Sequence, residues 1–144
     1  MITNAIILAR GGSKGIPNKN IVEFCGKPLM AWTIEQCISS KYISNTWVSS
    51  DSDRILETSL KFGAKIIKRP DDISDDFASS ESAWIHAIEN IEQKYNIDII
   101  VAPQITSPLR ETRDFDEAIE LFQKNGVDSM FSSSIVDDLL FWER

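Results

Sequence analysis

An α/β fold with a mostly parallel sheet covered on both faces is predicted by three features of the 144-residue sequence. Short β-rich runs alternate with longer segments of helical period. The first apolar run empties directly into a glycine-rich cationic loop. A hydrophobic content of 42% over this length suits one domain with a real core and is too little for two.

In chain order, Asn4 to Ala9 reads as a buried strand, because Ala5-Ile6-Ile7-Leu8-Ala9 is unbroken apolar sequence. Met30, Ile34, Cys37 and Ile38 then recur at helical spacing and form one apolar stripe. Thr46 to Ser50 is a second strand, followed by a weaker helical candidate from Asp51 to Phe62. Ala64 to Lys68 is a third strand. Ala83, Trp84, Ala87, Ile88, Ile91 and Tyr95 line a helix, Ile97 to Ala102 a fourth strand, and Phe115, Ala118, Ile119 and Phe122 another helix. Ser129 to Ser133 reads as a fifth strand. A βαβα order implies right-handed crossovers, and residues 1–144 are read as a single domain.

Ligands in such sheets bind outside the carboxyl ends of the strands, so the segments that follow strands carry the function. Four are available: Arg10 to Asn20, Ser49 to Asp53, Arg69 to Ser80, and Pro103 to Arg110. The third is acidic, with Asp71, Asp72, Asp75 and Asp76, and is long enough to act as a lid or binding loop.

The formal net charge of −7 argues against nonspecific binding to nucleic acid or to an anionic membrane surface. Its distribution says more. Residues 1–22 hold Arg10, Lys14 and Lys19 with no Asp or Glu, whereas the rest of the chain has twelve basic and twenty-two acidic residues. The glycine-rich loop is a positive island on an acidic protein. Cys25 and Cys37 lack CxxC spacing and no secretory signal opens the chain, so a reduced, cytoplasmic protein is expected. No apolar run approaches the roughly 20 residues that a spanning helix needs.

The loop Arg10-Gly11-Gly12-Ser13-Lys14-Gly15 is neither of two named phosphate motifs. A Walker A loop would need a glycine at Ile16 or Pro17, and the dinucleotide pattern would need one at Ser13. What remains is a strand followed by R-G-G-S-K-G-I-P-x-K-N, whose backbone N–H groups can line a triphosphate while Arg10, Lys14 and Lys19 neutralise it. A solvated basic turn is the plainer alternative.

With these residues in view, the sequence resembles the acylneuraminate cytidylyltransferases, or CMP-sialic acid synthetases, and their relatives acting on legionaminic and pseudaminic acids. The resemblance rests on I-L-A-R-G-G-S-K-G-I-P-N-K-N from Ile7 to Asn20 and V-S-S-D from Val48 to Asp51. It continues through Arg69-Pro70, D-D-F-A-S-S from Asp75 to Ser80, Ile85-His86-Ala87, and Q-I-T-S-P-L-R from Gln104 to Arg110. The chain departs from the family's Q-P-T-S-P at Ile105 and is shorter than family members.

The resemblance implies a three-layer α/β sandwich with a Rossmann-like sheet, of the nucleotide-diphospho-sugar transferase type. It implies transfer of CMP from CTP to the anomeric hydroxyl of a nonulosonic (sialic-acid-like 2-keto) sugar acid, with release of pyrophosphate. By matching position, Arg10 and Lys19 would be catalytic, meeting charge on the triphosphate with Lys14, while Gly11, Gly12 and Ser13 would complete the phosphate loop. Asn20, Arg69, Ala78 and Ser80 would surround cytosine and ribose, and Gln104 would face the sugar.

The resemblance also implies Mg²⁺ and a homodimer for the full-length enzyme. The metal carboxylates and the dimerisation arm are expected beyond Arg144, and no metal ligand is assigned within this sequence. The chain as given is expected to bind CTP without turning it over. Rival readings are a Kdo cytidylyltransferase, a sugar-1-phosphate nucleotidyltransferase, or a noncatalytic nucleotide-binding domain.

Other residues have plainer readings beside the functional ones. Arg69 could pair with the acidic loop beside it, and Ser79 and Ser80 could cap the following helix. His86, the single histidine, reads as structural within its helix. Asp51 reads equally as a helix N-cap or as a residue approaching a metal or ribose. The four tryptophans, at 32, 47, 84 and 142, read as core or interface residues.

Overall fold

The computed structural model describes residues 1–12, 15–74 and 80–133. Its centre is a four-stranded parallel sheet of β1 (Thr3–Leu8), β4 (Asn45–Ser50), β5 (Lys65–Lys68) and β6 (Ile99–Val101), in the order β5-β4-β1-β6. The short antiparallel pair β2 (Glu23–Phe24) and β3 (Lys27–Pro28) stands apart from it. The helices are α1 (Leu29–Ile38), α2 (Asp53–Lys61), α3 (Ser80–Glu92) and α4 (Thr112–Asn125).

Strand β1 shows why the sheet is covered on both sides. Successive side chains of a strand point to opposite faces. Ala5, Ile7 and Ala9 join Met30, Ile34, Ile55 and Phe115 in one core cluster. Ile6, from between them, joins Trp47, Ile67, Ala87 and Ile91 in another. Helix α3 therefore covers one face, while α1, α2 and α4 supply the other. Asn4 is fully buried in this strand and satisfied there. Its Oδ1 accepts the Trp47 indole N–H at 3.0 Å, and its amide nitrogen donates to the Asn96 carbonyl at 3.3 Å.

The chain starts in the middle of the sheet, steps outward through β4 to β5, and returns to place β6 on the other side of β1. The order reverses between β1 and β6, and the crevice at such a reversal is where open α/β sheets bind ligands. The predicted strands occur within one or two residues of their expected ends, with one exception. Ser129 to Ser133 forms no strand: it runs as exposed irregular chain, with Phe131 87% accessible. Three of its five residues are serine, and the segment has no packed face to draw it into a sheet.

The pair β2–β3 went unpredicted. Its turn uses Cys25 (φ 50°) and Gly26 (φ 87°), both left-handed, where Asn-Gly is the usual signal. The Trp32 indole donates to the Phe24 carbonyl at 2.9 Å and carries Lys27 over its ring at 3.7 Å, which fastens the turn to α1. No helix among the described residues is long and apolar enough to cross a membrane.

Candidate nucleotide site

A cleft of about 690 Å³ opens at the carboxyl ends of β1, β5 and β6, capped by the start of α3. Arg10, Lys19, Asn20, Arg69, Ser80 and Gln104 all line it. These six residues were nominated from the sequence and come from three of the four segments that follow strands. The topology brings them to one place.

Arg10 follows β1 directly. Asn18 adopts a left-handed conformation (φ 53°) and turns the chain into a short 3₁₀ segment, Lys19–Ile21, which carries Lys19 and Asn20 to the cleft. Asn20 is 7% exposed, and its amide nitrogen donates to the Arg10 carbonyl at 3.0 Å. It thus ties the two ends of the loop together as well as lining the site. Gly12 stands exposed, and Gly15 lines the cleft. Ser13, Lys14 and Ala78 lie outside the described residues.

Gly11 has a different position. Its N–H donates to Asp51 Oδ1 at 2.9 Å, and a Cβ built on it would stand 3.0 Å from Ser52 Cβ. A side chain here would press on Ser52, which would have to give by a few tenths of an ångström, so glycine suits the loop's close approach to the end of β4.

Arg69 continues the pairing of β4 with β5, its N–H donating to the Ser50 carbonyl at 2.8 Å. Its residue exposure is 5%, yet Nε and Nη2 are buried without a hydrogen-bond acceptor. Asp51 Oδ1 lies 3.8 Å from Nη2, an ion-pair distance too long for a hydrogen bond. Burial pushes this guanidinium below the usual arginine range, Asp51 pulls it back up, and the nearby Arg10 lowers it further. A buried cation with unsatisfied donors beside a second arginine is arranged to receive an electron-rich ligand.

On the far side, Gln104 is exposed at the mouth of the cleft on the turn after β6. Ile105, where the resembled family has proline, is 5% exposed and joins the core, so burial anchors the turn here. Arg110 fastens its end: Nη2 donates to Thr33 Oγ1 at 3.3 Å, Gln36 Oε1 at 3.4 Å and the Gln104 carbonyl at 3.4 Å. Its guanidinium carbon sits 4.6 Å from the Phe115 ring centre.

Sequence reasoning passed over Trp84, which lines the cleft with Ser80 and Ala83. Their i, i+3, i+4 spacing on α3 was the available signal. Trp32 and Trp47 serve packing, and Trp142 lies outside the described residues. His86 is not among the cleft-lining residues; its Nε2 meets the Asn90 amide at 3.2 Å on the same helix. Asp51 is not the N-cap of α2, a position held by Ser52.

The sequence profile of the family described as Cytidylyltransferase matches residues 4–139. The chain belongs to the cytidylyltransferase family. It is similar to N-acylneuraminate cytidylyltransferase A of Danio rerio, with 41% identity over 130 residues, which is 90% of this chain and 29% of that protein. It is also similar to pseudaminic acid cytidylyltransferase of Campylobacter jejuni, 40% identical over 131 residues, covering 90% of this chain and 56% of the relative. The chain thus spans between about a third and somewhat over half of the length of these relatives. Among solved structures, a CMP:2-keto-3-deoxy-manno-octonic acid synthetase in complex with CTP shares the fold, with a TM-score of 0.72 and 22% identity over 88% of this chain and 49% of that one. The architecture is that of the nucleotide-diphospho-sugar transferase fold, as the family predicts.

No three His, Cys, Asp or Glu side chains among the described residues group to hold a metal ion, in keeping with the expectation that the carboxylates for Mg²⁺ lie outside this sequence. Asp51 is already engaged by Gly11 and Arg69.

Proposed function

We propose that this chain is the nucleotide-binding part of an enzyme that transfers CMP from CTP to the anomeric hydroxyl of a sialic-acid-like 2-keto sugar acid. The hydroxyl oxygen attacks the α-phosphorus and gives up its proton to solvent, the bond from the α-phosphorus to the bridging oxygen breaks, and pyrophosphate leaves. The convergence of Arg10, Lys19, Asn20, Arg69, Ser80 and Gln104 on one cleft carries this reading. The named relatives, which include a pseudaminic acid and an N-acylneuraminate enzyme, support the choice of sugar class.

In this scheme the chain acts by positioning and by charge. Arg10 and Lys19 meet the negative charge that grows on the departing pyrophosphate, with Lys14, Gly12 and Ser13 completing the phosphate turn. The Arg69 guanidinium offers Nε and Nη2 to the cytidine portion, helped by Asn20, Ala78 and Ser80. Gln104, across the cleft, faces the acceptor sugar. A Mg²⁺ requirement and homodimerisation belong to the proposal for the intact enzyme. Cys25 and Cys37 carry free thiols, in keeping with a cytoplasmic setting.

Calorimetry of the chain with CTP, UTP and GTP tests the nucleotide half, and CTP is expected to bind in preference to the others. Pyrophosphate release by the intact enzyme, offered 2-keto sugar acids and sugar 1-phosphates, tests the acceptor half. Absence of CTP binding refutes the reading, and a preference for a sugar 1-phosphate transfers it to another branch of nucleotidyl transfer.

A further inference from the structure

We infer that Asp51 is a positioning residue: one carboxylate oxygen fixes the glycine loop and Arg69 relative to each other. What those two groups bind rests on the function proposed above; the anchoring rests on geometry. Oδ1 of Asp51 accepts the Gly11 N–H at 2.9 Å and stands 3.8 Å from Arg69 Nη2. It lies at the carboxyl end of β4, between the ends of β1 and β5 that supply its two partners.

The surroundings hold this carboxylate in place. Lys68 Nζ donates to the Asp51 carbonyl and to Asp53 Oδ1, both at 2.6 Å. Ser52 N–H donates to Ser50 Oγ at 3.1 Å and shapes the turn. The glycine at position 11 eases this contact, since an added Cβ would stand 3.0 Å from Ser52 Cβ, tight enough to push it by a few tenths of an ångström.

Two consequences follow for ligand binding. The Gly11 N–H is engaged by Asp51, so the loop's phosphate donors are its other amides and its cations. Arg69 is aligned yet left unsatisfied, because at 3.8 Å the pair attracts without forming a hydrogen bond. Its Nε and Nη2 therefore stay available to an acceptor.

The test uses the ¹⁵N-labelled chain with Asp51→Ala and Asp51→Asn, circular dichroism serving as the control for folding. In Asp51→Ala both the Gly11 amide and the Arg69 Nε resonances are expected to move, and CTP affinity by calorimetry to fall about ten-fold or more. Asp51→Asn keeps an oxygen acceptor for Gly11 and loses the charge. It should restore the Gly11 signal toward its normal position, leave Arg69 displaced, and weaken CTP by about three-fold. Should Asp51→Ala fail to fold, the asparagine variant decides alone. Unmoved resonances with unchanged CTP affinity overturn the inference. If the unaltered chain binds no CTP, the nucleotide reading fails, while the two resonances still report on the anchoring.

Discussion

Arg69 and Arg110 are two arginines drawn into the protein by burial, which lowers both below the usual arginine range, and they resolve that cost in opposite ways. Arg110 reaches three oxygen acceptors and an aromatic face, all belonging to the protein, although its Nε is buried without a partner. Arg69 has one carboxylate at 3.8 Å and two unsatisfied nitrogens. Arg110 holds the frame of the cleft together, whereas Arg69 lines the cleft with two donors that no protein acceptor meets. The same division separates the two loops that frame the cleft. The turn after β6 is closed by Arg110 and by Gln36, whose amide donates to the Pro108 carbonyl at 2.9 Å and to that of Arg110. The turn after β1 is held by the Gly11–Asp51 and Asn20–Arg10 contacts and turns Arg10 and Lys19 to the cleft.

Exchanging each arginine for an uncharged residue sharpens the comparison. The larger effect is expected for Arg69→Met on ligand binding. CTP affinity should fall about ten-fold or more, while thermal stability holds or rises, because an incompletely compensated buried charge is replaced by an apolar chain of similar length. Calorimetry and a melting curve check both halves, and a clear loss of stability would break the contrast. Arg110→Ala should behave inversely. It removes a clasp shared by α1, the turn after β6 and Phe115, so unfolding stability measured in urea should drop by about 2 kcal/mol. CTP affinity should change by less than about three-fold, since Arg110 is not among the cleft-lining residues.

Much of this arrangement was legible in the sequence, for identifiable reasons. The apolar run of β1 marked the centre of the sheet, because a strand buried on both faces leaves little room for polar residues, whereas β4 and β5 were marked by short β-rich runs between helical segments. The cations and glycines after β1 marked a candidate binding loop because ligands collect at the carboxyl ends of parallel strands, and Arg10, Gly15, Lys19 and Asn20 do line the cleft there. Asp51 was ambiguous because its role needs three strand ends to meet, and no local pattern reports that meeting. Arg110 sat within a quoted motif yet carried no nomination; its partners Thr33 and Gln36 lie more than seventy residues earlier. The strand expected at Ser129 to Ser133 came from local composition alone, and burial did not follow. Cys25-Gly26 hid a hairpin because cysteine is an unusual residue for a left-handed turn position.

In the proposed function the cleft receives a cytidine nucleotide, and Arg69 Nε and Nη2, which lack protein acceptors, are among the donors that meet it. A crystal structure of the chain with CTP tests it most directly. The triphosphate should lie against Arg10 and Lys19, with Arg69 Nε and Nη2 within hydrogen-bond distance of the nucleotide. Nucleotide bound elsewhere, with those two nitrogens still lacking acceptors, would contradict it.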